Sequence, residues 1–177
     1  MAALGNAIHA FLAADRGAES GREVVAERLL AAHGVALALS PRTLVAASDA
    51  LRGWAYARYP GAHWCREWPV RARVRVDGHE RLLRGEIDLV LELADGFVIV
   101  DHKSFRGSDA ERDDHVLGYV PQLRWYAEAS ARALRKPLKA AYVHLPMRGE
   151  VVEVDVGGSG PGAHRDDRAA AARSDRV

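Results

Sequence analysis

Arg84-Gly85-Glu86-Ile87-Asp88-Leu89-Val90 and Val98-Ile99-Val100-Asp101-His102-Lys103 flank the turn signal Ala94-Asp95-Gly96, so the two runs read as neighbouring strands of one hairpin. Val98-Ile99-Val100 is continuously apolar, the mark of a strand covered on both faces. Asp101 and Lys103 are two residues apart, so both side chains leave the same face of that strand. Asp88 reaches the same face from the partner strand. An acid at the end of a covered strand is costly unless something meets its charge.

Two carboxylates beside one ammonium make a site for a divalent cation, with a lysine to hold or activate a water. That is the chemistry of phosphodiester cleavage. A lone Asp-x-Lys on an exposed strand would be a solvated ion pair of little consequence, but the apolar setting of Asp101 shifts the balance toward a metal site. Gly85, just ahead of Asp88, permits close approach of the backbone to a ligand.

The chain resembles the PD-(D/E)XK nucleases, and most of all the nuclease domain at the C-terminal end of RecB- and AddA-type (UvrD-like) helicase-nucleases. The motifs that carry the likeness are the Gly85-Glu86-Ile87-Asp88 strand, Asp101-His102-Lys103-Ser104, the opening stretch Leu4-Gly5-Asn6-Ala7-Ile8-His9-Ala10-Phe11-Leu12, and Tyr119-Val120-Pro121-Gln122-Leu123-Arg124-Trp125-Tyr126. They occur in family order and cover residues 1–156. The resemblance implies an α+β, restriction-endonuclease-like core, with helices around a mixed central sheet in the order αβββαβ and two extra helices after the first. It implies a Mg²⁺- or Mn²⁺-dependent deoxyribonuclease, exonucleolytic on single-stranded or unwound DNA ends, acting in double-strand-break repair. Asp88, Asp101 and Lys103 would be catalytic. The metal ligands would be His9, Asp88, Asp101 and the backbone carbonyl of His102. Gln122, Tyr126 and Tyr119 would contact DNA, and Glu67 falls where family members often carry an acid near the site. A stand-alone repair or restriction-type endonuclease, or a non-catalytic DNA-binding module, remain the alternatives.

The rest of the chain is consistent with one domain over residues 1–156. At 177 residues and 49% hydrophobic it can bury a single core. A net charge of +1 is weak for a protein that must capture DNA unaided, because phosphate neutralisation supplies much of that affinity. This favours a module whose substrate another domain delivers, a translocating helicase in the related proteins. No G-x-x-x-x-G-K-[ST] phosphate loop is present, so the ATP-driven step would belong to that partner. The lone cysteine, Cys65, excludes a disulfide framework and a four-cysteine iron–sulfur cluster. No run reaches membrane-spanning length and no export signal opens the chain, so a cytoplasmic location is expected.

Apolar spacing predicts helices over 4–15, 22–32 and 41–59, the last with Ser40 as N-cap and Pro41 at its first position. His9 lies beside the apolar stripe of the first and, without the resemblance, reads as a structural histidine. From Trp64 the pattern alternates. Trp68, Val70, Ala72, Val74 and Val76 point one way, and Glu67, Pro69, Arg71, Arg73 and Arg75 the other. The arginine row reads first as the solvated face of an edge strand and second as a phosphate-contacting stripe. Asp77-Gly78 signals a turn. Phe105–Asp114 is expected to be a mobile loop, 118–134 one helix, 138–145 and 150–156 a hairpin, and 157–177 a disordered tail.

Overall fold

The computed structural model describes residues 2–18, 20–76, 79–157 and 173–177. Helices α1 (Ala2–Ala14), α2 (Arg22–Ala32) and α3 (Pro41–Arg58) precede strands β1 (His63–Val76), β2 (His79–Leu93) and β3 (Gly96–His102). Helices α4 (Asp109–Leu117) and α5 (Val120–Leu134) lead to β4 (Leu138–Leu145), β5 (Glu150–Val154) and β6 (Arg173–Arg176). The six strands lie in sequence order across one sheet. All neighbours are antiparallel except β3 and β4, which run parallel because α4 and α5 carry the chain back across the sheet. This is the α+β, mixed-sheet architecture expected from the sequence, with α2 and α3 as the additional helices.

Alternation along the strands sorts the core. Phe97, Ile99, Ala141 and Val143 pack toward Leu123, Tyr126 and Ala127 of α5, whereas Val98, Val100 and Tyr142 pack toward Leu51 and Ala55 of α3. Leu4, Ile8 and Phe11 of α1 close a third cluster with Leu30 and Leu44. The apolar stripe of α1 is therefore spent on the helical layer, which brings His9, beside it, over the end of β2. Helix α3 begins as its sequence predicts, with Ser40 Oγ accepting from the Thr43 amide at 3.1 Å.

Asp15 ties the three N-terminal helices together. Its carboxylate accepts Arg22 Nε at 2.8 Å and Arg22 Nη2 at 2.5 Å, Ser48 Oγ at 2.6 Å and the Gly17 amide at 3.1 Å. Burial alone would raise its pKa, but these partners outweigh it and hold the group at about 2, below the ordinary 3.8. The folded pKa is depressed, so the stabilisation is present above pH ~4 and fades as pH falls through about 2. Asp15→Asn leaves the Arg22 charge unmatched and should lower the unfolding free energy at pH 7 by roughly 2–4 kcal/mol. Urea denaturation at pH 7 and pH 2.5 measures this, and the gap between wild type and variant should narrow at the lower pH.

Three expectations are corrected. Phe105–Asp114 is not all loop, since Asp109–Leu117 is helical. Ser108 starts it by donating from its amide (2.9 Å) and hydroxyl (2.7 Å) to Glu111. The helix of 118–134 therefore begins at Val120, after a break at Gly118 and Tyr119. The end of the chain is not structureless either: Arg173–Arg176 pair with β5, and the Val177 amide bonds Gly149 O at 2.8 Å. The exposed backbone of a sheet edge recruits such a segment whatever its composition. The expected turn at Asp77-Gly78 and residues 158–172 of the tail lie outside the described residues. Arg71 and Arg73 are exposed and Arg73 lies 3.5 Å from Glu80, as suits a solvated face. Among the described residues no helix is long and apolar enough to cross a membrane.

Candidate active site

The antiparallel register places Leu89 opposite Val100 and Val90 opposite Ile99, so Asp88 and Asp101 sit at the same end of the β2–β3 pair. Asp88 is held from two sides. Its Oδ2 accepts the His102 amide at 2.6 Å, and its Oδ1 lies 3.3 Å from His9 Nδ1 on α1. Helix α1 can come this close because Gly5 has no side chain: a Cβ there would stand 2.9 Å from Ser104 Oγ. Asp101 is 2% exposed and faces Lys103, whose Nζ lies 2.7 Å from its Oδ2. The expectation that Asp101 and Lys103 share a face holds. Lys103 Nζ also lies 4.6 Å above the Tyr119 ring, so an anion and an aromatic face bracket the ammonium.

The two acids differ in proton affinity. Burial pushes both upward. At Asp88 the His9 hydrogen bond and the neighbouring imidazoles overcome burial, and its pKa falls below the ordinary value. At Asp101 burial and the Asp88 charge win over Lys103, and its pKa rises. His9 gains proton affinity through its bond to Asp88. Lys103 gains it from Asp101 in spite of burial. Two acids, an ammonium and an imidazole thus share one end of the β2–β3 pair, and the Asp88 charge raises the proton affinity of Asp101.

A divalent cation fits this place. Asp101 Oδ2 is buried and has no aligned hydrogen bond, the ammonium at 2.7 Å being an ion-pair contact with poor hydrogen-bond angles. That oxygen already meets one positive charge, the ammonium, and keeps lone-pair capacity for a second. Asp88, Asp101 and His9 offer oxygen and nitrogen donors at one end of the β2–β3 pair, donor types that Mg²⁺ or Mn²⁺ accepts.

Glu67 is also brought here. It lies between the pairs Arg66–Leu89 and Trp68–Ile87, opposite Asp88, with a left-handed φ of 51°. That twist interrupts the alternation read for β1. Burial, Glu86 and Asp88 together push the Glu67 carboxyl up to about 7.

Tyr126 departs from the expected role of a strand-stacking group, whereas Gln122 stays exposed. Gln122 Nε2 donates to Tyr126 Oη at 2.9 Å, and Tyr126 is 4% exposed, so its ring is core rather than a free stacking platform. Its place explains Gly85: a Cβ there would meet Tyr126 Cε1 at 2.7 Å and Trp125 Cζ3 at 2.9 Å. The close approach that Gly85 permits is that of α5.

Sequence reasoning misses His144. It lies on β4 beside His102 in the parallel register, fully buried, with its Nδ1 3.0 Å from His102 Nδ1. Burial holds both imidazoles neutral, His102 down to about 4. One ring therefore donates and the other accepts, fixing the strand end from which Lys103 projects. The Lys103 amide in turn bonds His144 O at 2.9 Å. A histidine inside the apolar run Tyr142-Val143-His144-Leu145 is the signal that could have found it.

Comparison with known proteins bears on this geometry. A family model described as the PD-(D/E)XK nuclease superfamily matches residues 1–175. An ATP-dependent helicase/nuclease subunit from Desulforudis audaxviator is 37% identical over 106 residues, 52% of this chain and 8% of that protein. Its namesake in Desulforamulus reducens is 33% identical over 76 residues, 41% of this chain and 6% of that protein. The chain thus matches less than a tenth of the length of either relative. Among solved structures, the crystal structure of SSO0001 aligns with a TM-score of 0.40 and 14% identity, covering 82% of this chain and 64% of the other.

Proposed function

Because the chain belongs to the PD-(D/E)XK nuclease superfamily, we propose that it is the metal-dependent DNA nuclease module, formed by residues 1–156, of a RecB/AddA-like helicase-nuclease, degrading DNA from ends in the cytoplasm during double-strand-break repair. The observation that carries this reading is the convergence of His9, Asp88, Asp101 and Lys103 at one end of the β2–β3 pair. The likeness to two helicase/nuclease subunits supports the helicase-linked form of it.

Asp88, Asp101, His9 and the His102 carbonyl would hold the cation. Bound Mg²⁺ or Mn²⁺ supplies a more acidic water and offsets charge on the phosphate. The side chains do the rest. Lys103, fixed by Asp101 and Tyr119, positions the attacking water and stabilises charge building on the phosphate oxygens. The water oxygen forms the new P–O bond, the bond to the leaving sugar oxygen breaks, and a proton is returned to that oxygen. Gln122 and Tyr119 would meet the strand by hydrogen bond and ring edge. Tyr126 would act by orienting Gln122.

The weak net charge implies that the isolated chain captures DNA poorly. With end-labelled linear and closed-circular DNA, cleavage of the linear form alone, only with Mg²⁺ or Mn²⁺, is expected. Affinity should fall steeply between low and physiological salt, as counterion release requires, and tethering to a DNA-binding helicase should restore activity through effective concentration. Rapid cutting of closed circles at physiological salt would assign the chain to the stand-alone endonucleases instead. Cleavage undiminished in EDTA would remove the metal from the mechanism.

A further inference from the structure

We propose that His63, Cys65 and Glu92 form a second cation site, separate from the acid cleft and suited to Zn²⁺ or a similar borderline-soft ion. One imidazole nitrogen, the thiol sulfur and one carboxylate oxygen all lie within 4.8 Å of one another. The backbone explains the meeting. His63 on β1 is the direct cross-strand partner of Glu92 on β2, and Cys65 follows His63 by two residues, so all three leave one face of the sheet. His63 Nδ1 stands 3.3 Å from Cys65 Sγ. Glu92 is four residues beyond Asp88 along β2, roughly 13 Å at the rise of a strand, too far for one ion to share ligands with the cleft.

The donor chemistry sets the class of ion. Magnesium prefers oxygen ligands throughout, whereas a nitrogen, sulfur and oxygen set suits zinc and its neighbours. Three protein ligands leave a fourth tetrahedral position for water. Ligand atoms around zinc sit about 3.3–3.8 Å apart, given bonds of roughly 2.0–2.3 Å, so side-chain rotation alone closes the set. His63 is exposed and can make that movement. Lys136 opposes the charge of an incoming cation, but it occupies only Oε1 of Glu92, at 2.8 Å, and is itself anchored to Leu93 O at 2.7 Å. It orients the carboxylate and leaves Oε2 for the ion. Without a cation the group is a His–Cys hydrogen bond beside a Lys–Glu ion pair, and the two states differ in what they bind.

Cobalt is the probe, because a thiolate ligand gives it a sulfur-to-metal charge-transfer band. Titrating Co²⁺ into the intact chain with Mg²⁺ in large excess should develop that band at one equivalent, and Zn²⁺ should bleach it. Cys65→Ser should abolish the band, and His63→Ala should weaken Co²⁺ binding about tenfold or more. Asp101→Asn should leave the band unchanged. Circular dichroism confirms folding, and His63→Ala alters an exposed side chain, so it remains a usable test if Cys65→Ser unfolds. No thiolate band in the folded wild type, a band that survives Cys65→Ser, binding unaffected by His63→Ala, or a band lost in Asp101→Asn overturns the proposal.

Discussion

Asp101→Asn should leave DNA binding near the wild-type level and lower the cleavage rate on the order of 10³-fold, about 4 kcal/mol of transition-state stabilisation. The substitution keeps the shape of a side chain that is 2% exposed but leaves the Lys103 ammonium without its anion, so circular dichroism and the metal-free Tm must first establish that the variant is folded. What it removes is the charge on a buried carboxylate whose Oδ2 has no aligned hydrogen bond. A separate readout isolates the cation from the chemistry. A ligand that binds only the folded state raises its stability by mass action. Added Mg²⁺ should therefore raise the Tm of the wild type, and the shift should shrink or vanish in Asp101→Asn. Equal shifts in both proteins would place the cation elsewhere.

Lys103→Met should lower kcat roughly 10²–10³-fold with little change in Kd for DNA. The methionine keeps the apolar stem against Tyr119 and deletes the ammonium that Asp101 holds at 2.7 Å. An ammonium so bracketed is set in place before substrate arrives, which suits a group used in the transition state rather than in capture. Single-turnover rates with saturating DNA, beside equilibrium binding without divalent ions, separate the two roles. A variant that binds weakly but turns over normally would assign Lys103 to ground-state binding.

Much of this molecule is legible in its sequence. The hairpin carrying Asp88, Asp101 and Lys103 announces itself because a turn signal and apolar runs act within a dozen residues. Ser40 and Pro41 mark the start of α3 for the same local reason. Helix α4 escapes such a reading although Ser108 and Glu111 spell a capping box, since its face toward the core is little more than Val116 and no apolar period accompanies the cap.

Chain order and local chemistry determined helices α1 to α3, strands β1 to β5, the acid–lysine hairpin and the family, but neither α4 nor β6. Tertiary structure alone decided which distant groups meet. The parallel pairing of β3 with β4 carries His144 to His102 across 42 residues. A left-handed residue turns Glu67 toward a place its alternation did not assign. Packing of α5 against Gly85 buries the ring of Tyr126. Strand β6 closes on the β5 edge from a segment whose composition promised no structure. In each case the partner lies outside the span over which backbone hydrogen bonds and periodicity act, so it is set by crossovers and packing that no window of sequence contains.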